Sequence, residues 1–240
     1  VLNCPFWSNI LKDLYTEDTS VDFETNVEWN YKSKKLAAIA ASPLLFRKKL
    51  MSFLKKRKNR NVAPTVRNIY QAIFEKTGKS FIVDSSKDPI QALAVYNNSK
   101  DFNVKIIWLK RDVRALAVSK MKWKTVNEKK KKSLKKVMLD IFFYKRLCLA
   151  VSGLVSKDDL VKLNYEALAT ETQKSLDIIT AKTGLQNYQA PEYMYIENDH
   201  TIGGTPNRFE KRPIALDESW KKTYKNKKFI YYLGGVLNKL

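Results

Sequence analysis

The chain has 240 residues, of which 44% are hydrophobic and 12% aromatic, and this composition is typical of a globular protein with a buried core. Its formal charge of +21, from 45 basic and 24 acidic residues, predicts attraction to anionic ligands or polyanions. No run of about 18 apolar residues is present, so the sequence encodes no transmembrane helix. The two cysteines lack the spacing of a zinc site or a disulfide framework, which indicates a reducing, cytoplasmic compartment and no metal.

The first part of the chain predicts helices and one acidic loop. A short helix is expected over residues 5–15, and two more between residues 34 and 56, separated at Pro43. The acidic stretch 16–30 is either a solvated loop or an acceptor-site loop that supplies a general base. A longer helix has Pro64 near its start and Gly78 at its end.

The stretch from Phe81 to Trp123 predicts a strand, a helix, a strand and a second helix. Residues 81–84 (FIVD) and 104–109 (VKIIWL) are short apolar runs bounded by polar residues, and Pro89 lies where a first helical turn tolerates proline. Two parallel strands joined by a helix place their carboxyl ends side by side, where open α/β sheets bind ligands. The ligand site is therefore expected at DSSK (84–87) and KRDVR (110–114).

The residues around Arg111 suit a phosphate. A guanidinium offers a planar fork of donors, the following helix start offers backbone N–H groups, and Ser119 lies two turns into that helix. The alternative is that Arg111 forms a surface ion pair with Asp112 or Asp84 while Ser119 is merely solvated.

The second half of the chain predicts a basic helix, a third strand and a polar loop. The lysine-rich run 127–136 leads into an apolar helix that ends at Gly153, and LVKLNYEAL (160–168) predicts a strand that turns into a helix. Residues 198–224 form a loop whose glycines and arginines can approach an anion. His200 in that loop is the only histidine, so a histidine-based metal site is excluded, and we expect it to orient the loop.

At these residues the sequence resembles a known family. DSSK, a strand and then RDVRALAVS (111–119) are similar to the RDxRAxxxS pattern of sulfotransferases that use 3′-phosphoadenosine 5′-phosphosulfate (PAPS), of the bacterial, carbohydrate and tyrosylprotein type. NYEAL (164–168) and HTIGGTPNRF (200–209) resemble two further elements of the family. Val113 stands where proline or glycine is usual, and TPN (205–207) replaces the usual GN pattern.

The resemblance implies a ligand set and a fold. Arg111 and Ser119 hold the 3′-phosphate, Arg208 is a second phosphate ligand, and Tyr165 flanks the nucleotide. Ser86 and Asn207 complete the implied cofactor-binding residues. The fold is a P-loop nucleoside-kinase-like α/β fold of three layers, with a mostly parallel sheet flanked by helices.

Lys87 is the catalytic candidate. Sulfuryl transfer is an in-line displacement in which charge builds on the leaving phosphate oxygen, and a preorganised ammonium stabilises that charge. The family resemblance places a lysine with this role at Lys87. The alternative is that Lys87 is one of many solvated lysines.

The resemblance also predicts what precedes the printed sequence. No segment is similar to the family's GxxRSGST-like loop for the 5′-phosphosulfate, and no GxxxxGK(S/T) motif is present. We therefore expect a single sulfotransferase-like domain over residues 1–240 that is truncated at its amino terminus. Its reaction moves a sulfuryl group from PAPS to a hydroxyl or amine of a glycan, peptide, lipid or small metabolite. The alternatives are an incomplete nucleotide-binding module without activity and a basic polyanion or nucleic-acid binder, although no nucleic-acid partner is expected.

Overall fold

The structure, a computed structural model, describes residues 4–12, 62–98, 101–122, 133–186, 188–195 and 210–239. In chain order its elements are α1 (Pro5–Lys12), α2 (Val62–Thr77), α3 (Pro89–Asn98), β1 (Ile106–Lys110), α4 (Val113–Lys122), α5 (Leu134–Ser152), β2 (Leu160–Asn164), α6 (Tyr165–Thr170), α7 (Thr172–Thr183), β3 (Tyr193–Met194), β4 (Arg212–Pro213), a 3₁₀ helix (Ser219–Tyr224) and α8 (Lys228–Lys239). The chain is therefore of the α/β class, as the sequence predicted.

The chain divides into two compact units. The first unit comprises residues 1–33, 48–104 and 191–213, and the second comprises residues 34–47, 105–190 and 214–240. The single domain expected over residues 1–240 stays a prediction. Within the described residues, every helix falls short of the length and apolar character that crossing a bilayer requires.

The first unit is built from α1, α2, α3 and a short antiparallel pair, β3 with β4. Ile10 on α1, Ala72 on α2 and Leu93 on α3 are buried. Helix α2 ends at Gly78, whose φ of +60° lies in the left-handed region that glycine adopts without a Cβ penalty. The helices predicted around Pro5, Pro64 and Pro89 are thus confirmed within the described residues.

The strand predicted at residues 81–84 is wrong. The structure gives this segment no regular secondary structure, and the side chain of Val83 is 86% exposed. A β-branched, aromatic run forms a strand only where another strand accepts its backbone hydrogen bonds, and no described strand pairs with it.

The second unit contains a parallel sheet of β1 and β2, in which Ile106 lies opposite Leu160 and Lys110 lies opposite Asn164. Both strands were predicted from their apolar runs and are confirmed. The register brings the two carboxyl ends to the same level. Two described strands are fewer than the larger, mostly parallel sheet that the sequence predicted, so the nucleoside-kinase-like fold stays a prediction.

A helical core packs in the second unit and fixes the start of α4. Helices α4, α5 and α8 and the 3₁₀ helix contribute its buried side chains, which include Val113, Ala117, Met138, Trp220, Tyr224 and Leu237. The Tyr224 hydroxyl donates to the carbonyl of Arg114 at 3.1 Å, and burial raises the pKa of Tyr224 to about 12. Trp220 is buried in this core, whereas one face of α8 is exposed.

Candidate functional site

A cavity of about 720 Å³ lies at the carboxyl ends of β1 and β2 in the second unit. Lys110 is the last residue of β1, and Arg111 follows it. Glu166 lies on α6 after β2, Lys145 lies on α5, and Asp217 precedes the 3₁₀ helix. This is the edge of a parallel sheet where ligand sites of α/β proteins occur. Of the two segments predicted to form the ligand site, KRDVR (110–114) lines this cavity and DSSK (84–87) does not.

The wall of the cavity is basic. Four acidic residues line it (Asp112, Glu166, Asp217 and Glu218), against eight basic ones (Lys110, Arg111, Arg114, Lys145, Arg146, Lys162, Lys221 and Lys239). A concave surface with an excess of one charge concentrates the opposite charge. The cavity is therefore suited to an anion.

Arg111 is the main candidate for an anion ligand in this cavity. Its side chain is mostly buried, with 19% accessible to solvent. Its guanidinium carbon lies 4.0 Å from the centroid of the Tyr165 ring, and one terminal nitrogen lies 3.6 Å from Asp217 Oδ2. Its Nε is buried and has no hydrogen-bond partner in the described structure. A buried donor without an acceptor costs about 1–3 kcal/mol, so an incoming anion that offers an oxygen there would be stabilising.

Arg114, three residues on, has a structural role. Asp112 accepts from the Arg114 backbone N–H at 2.7 Å and from its Nε and Nη2 at 2.9 and 2.5 Å. The guanidinium also lies 4.2 Å from the Tyr231 ring centroid and 5.2 Å from that of Trp220. Arg114 thus joins the sheet edge to the helical core and is not available as a ligand.

The ion pair also sets the charge of Asp112. Burial alone would raise the pKa of this carboxyl, but hydrogen bonds from Arg114 and Asn238 outweigh burial and hold the pKa below its usual range. Asp112 is therefore a carboxylate at neutral pH.

The backbone N–H groups at the start of α4 are already bonded within the protein. The Asp112 N–H donates to Glu166 Oε1 at 3.3 Å, and the Val113 N–H donates to Asn238 Oδ1 at 2.9 Å. The expectation that these amides would be free for a phosphate is wrong, because side chains from α6 and α8 accept their hydrogen bonds. Glu166 thus caps the start of α4 from α6, and no local pattern in the sequence identifies Asn238, which lies 125 residues from Val113.

Lys145 is a further basic residue of the site that the sequence reasoning missed. Its Nζ donates to the Asn238 carbonyl at 2.5 Å and to the Leu237 carbonyl at 3.4 Å, so it caps the end of α8. Burial lowers the pKa of Lys145, and the nearby charge of Lys110 lowers it further, while Asp112 opposes the shift. Lysine charges that repel one another would be stabilised by an anion between them.

Ser119 lies elsewhere on α4. It is exposed and does not line the cavity. It lies six residues after Val113, which places it about 9 Å along the helix axis from the start of α4. Its role as a phosphate ligand therefore stays a prediction.

The DSSK segment forms an ordered loop in the first unit. Asp84 Oδ1 accepts from the Ser86 N–H at 2.7 Å, and its other oxygen accepts from the Tyr70 hydroxyl. Burial raises the pKa of Tyr70, and the hydrogen bond to Asp84 adds to the effect. Asp88 caps α3, since its Oδ1 accepts from the Ile90 N–H at 2.8 Å.

Lys87 lies between these two aspartates and has an unusual backbone. Its φ of +62° makes it the one non-glycine residue with positive φ among those the structure describes. Lysine has no intrinsic preference for this region, and such strain clusters at functional sites. Lys87 and Ser86 are both exposed, so their side chains face solvent from a locally braced loop.

The remaining candidates lie outside the described residues. These are Arg208, Asn207 and His200. In the part of the chain that the structure describes, no group of three or more potential metal ligands is brought together.

Comparisons with known proteins give no match to this chain, whether with protein-family models, curated proteins or solved structures. Its function is therefore argued from its motifs and from the geometry of this site.

Proposed function

We propose that the chain is a PAPS-dependent sulfotransferase that transfers a sulfuryl group to a hydroxyl or amine of an acceptor. The observation that carries the proposal is the contact of Arg111 with Tyr165. The motif resemblance assigned both residues to the nucleotide, and they lie 4.0 Å apart at the ends of neighbouring parallel strands. Arg111 lines the basic cavity, and Tyr165, which comes from a separate motif of the same resemblance, lies in contact with it.

Arg111 has the properties of a phosphate ligand. The Tyr165 ring contacts the guanidinium by a cation–π interaction, and the N–H donors in the plane of the group are not blocked by the ring. The contact with Asp217 is long, at 3.6 Å, and 54% of the Asp217 side chain is exposed, so this ion pair is weak. A phosphate dianion can replace it with shorter, charge-assisted hydrogen bonds.

Lys87 is proposed as the catalytic residue. The acceptor oxygen or nitrogen attacks sulfur, the bond between sulfur and the phosphate oxygen breaks, and its electron pair goes to that oxygen. The Lys87 ammonium stabilises the developing negative charge, while the acceptor proton passes to a base that the sequence does not assign. The bracing of its loop by Asp84 and Asp88 supports this role, because transition-state stabilisation depends on groups held in position.

The nucleotide site is tested by calorimetric titration with adenosine 3′,5′-bisphosphate. Arg111→Ala removes a charged hydrogen-bond donor and should weaken binding about 10- to 100-fold. Tyr165→Leu should weaken it less, and Tyr165→Phe should have little effect because the ring is retained. Arg67→Ala is the matched control, since Arg67 is an exposed arginine of the first unit that is paired with Asp101.

The alternatives give different results. Equal weakening by Arg111→Ala and Arg67→Ala, with a steep dependence on salt, would indicate a polyanion binder without a defined site. No binding by a chain that is folded by circular dichroism would overturn the proposal. Specific binding without transfer from radiolabelled PAPS to any acceptor would leave a nucleotide-binding module and reject the enzyme.

A further inference from the structure

One face of α8 is apolar and exposed. The side chains of Phe229, Tyr232 and Val236 are 72%, 70% and 54% exposed. Their spacing of three and four residues places them in a single row along the helix. Large apolar groups that are contiguous on a surface mark interaction sites more often than isolated ones do.

Lysines surround this row. Lys228 and Lys239 lie on the same face at either end of α8, and both are exposed. From α5, Lys135 Nζ lies 5.9 Å from the centroid of the Phe229 ring. Helix α8 contains no acidic residue. We call these six residues the α8 surface: Phe229, Tyr232, Val236, Lys228, Lys239 and Lys135.

The opposite face of α8 fixes this orientation. Gly234 and Leu237 are buried, and Leu237 belongs to the helical core. The Lys145 side chain also bonds the last carbonyls of the helix. Rotation of α8 to bury the apolar row would expose this packed face, so the row stays on the outside.

We propose that the α8 surface binds to the surface of a membrane that contains anionic lipids. Apolar side chains flanked by lysines on one helix face match the boundary between acyl chains and negatively charged headgroups. Aromatic rings such as those of Phe229 and Tyr232 are favoured at this depth. The proposal does not rest on the sulfotransferase assignment, and the two sites share one residue, Lys239, which also lines the candidate cavity.

Charge argues against the other occupants. A second copy of the chain carries the same net charge of +21 and would present the same lysines to this surface. Nucleic acid could bind the lysines through its phosphates, but Val236 has no aromatic ring on which a base could stack. A lipid interface accommodates all three apolar side chains. An anionic lipid layer complements both halves of the surface.

The test is co-sedimentation of the 240-residue chain with phosphatidylcholine vesicles, with and without phosphatidylserine. Binding should require the anionic lipid. Lys228→Gln/Lys239→Gln should weaken it about fivefold for each lysine. Phe229→Gln/Tyr232→Gln should weaken it at least about tenfold, because the apolar contribution is lost.

Matched controls lie on other exposed parts of the second unit. Lys157→Gln/Lys174→Gln removes the same charge, and Ile178→Gln removes an apolar side chain that is 45% exposed. Neither should change binding. All substituted side chains are exposed, so folding is preserved, and circular dichroism checks this.

Three results would overturn the proposal. The first is no binding of the parent chain to anionic vesicles. The second is binding that both lysine pairs weaken equally and that Phe229→Gln/Tyr232→Gln leaves unchanged, which would mean attraction by net charge alone. The third is a dimer at working concentration that Phe229→Gln/Tyr232→Gln dissociates, which would make a second copy the occupant.

Discussion

Two adjacent glycines of α8 give a sharp test of the packing that supports the candidate site. A Cβ added at Gly234 would lie within 3.0 Å of Arg114 Cγ and of Met138 Cε. A Cβ at Gly235 would meet only Arg114 Nη1, at an ordinary 3.8 Å. Arg114 cannot yield easily at Gly234, because Asp112 holds its guanidinium through two nitrogens.

The expected free energies follow from two terms. Replacing glycine by alanine inside a helix stabilises the helix by about 1 kcal/mol, and this term is common to both positions. Overpacking of a filled core costs about 1–3 kcal/mol and applies only at Gly234. Gly235→Ala should therefore raise the free energy of unfolding by up to about 1 kcal/mol. The free energy of unfolding of Gly234→Ala should be about 1–3 kcal/mol lower than that of Gly235→Ala.

Thermal unfolding followed by circular dichroism measures the difference. For a chain of this length, 1 kcal/mol corresponds to about 2–4 °C in Tm, so the two variants should differ by about 2–12 °C. Equal Tm values for Gly234→Ala and Gly235→Ala would refute the close approach of α8 to Arg114.

Two further predictions concern the site. Lys87→Ala and Lys87→Gly should both abolish sulfuryl transfer from PAPS. Only Lys87→Gly removes the steric strain of a side chain at positive φ, so only this variant should raise the free energy of unfolding, by up to about 1 kcal/mol. Equal stability of these two variants in urea unfolding would contradict the backbone assignment. The pKa of Asp112 is lower in the folded chain than in the unfolded chain, so its carboxylate contributes stability above about pH 4 that is lost as the pH falls through the folded pKa. The difference in free energy of unfolding between the parent chain and Asp112→Asn should therefore be constant from about pH 7 to 5. It should decrease towards zero as the pH falls below about 4. A difference that persists at low pH would exclude this role for the charge.

The parts of the fold that sequence predicted are those with local signals. Strands β1 and β2 are apolar runs of suitable length, and α2 and α7 end at glycines with positive φ. The segment at residues 81–84 has the same local signal as β1, but no strand among the described residues pairs with it, so propensity alone misassigned it.

The candidate site was predicted through its motifs and not through its supporting contacts. Arg111 and Arg114 have the same chemistry and lie three residues apart, and only tertiary contacts distinguish the candidate ligand Arg111 from the structural residue Arg114. Lys145 and Asn238 give no sequence signal, because their partners lie in distant segments. Long-range side-chain contacts of this kind have no periodicity to detect.

The bond between Asn238 and the Val113 amide has a consequence for the order of folding. Because 125 residues separate the two partners, the first turn of α4 gains this bond only after the segment that contains Asn238 has been synthesised. Until then the Val113 amide lacks its acceptor and the edge of β1 beside Arg111 is incompletely braced. The candidate site should thus mature late in the nascent protein, and a nascent chain that stalls before Asn238 should carry the RDVRALAVS motif without this support for the start of α4.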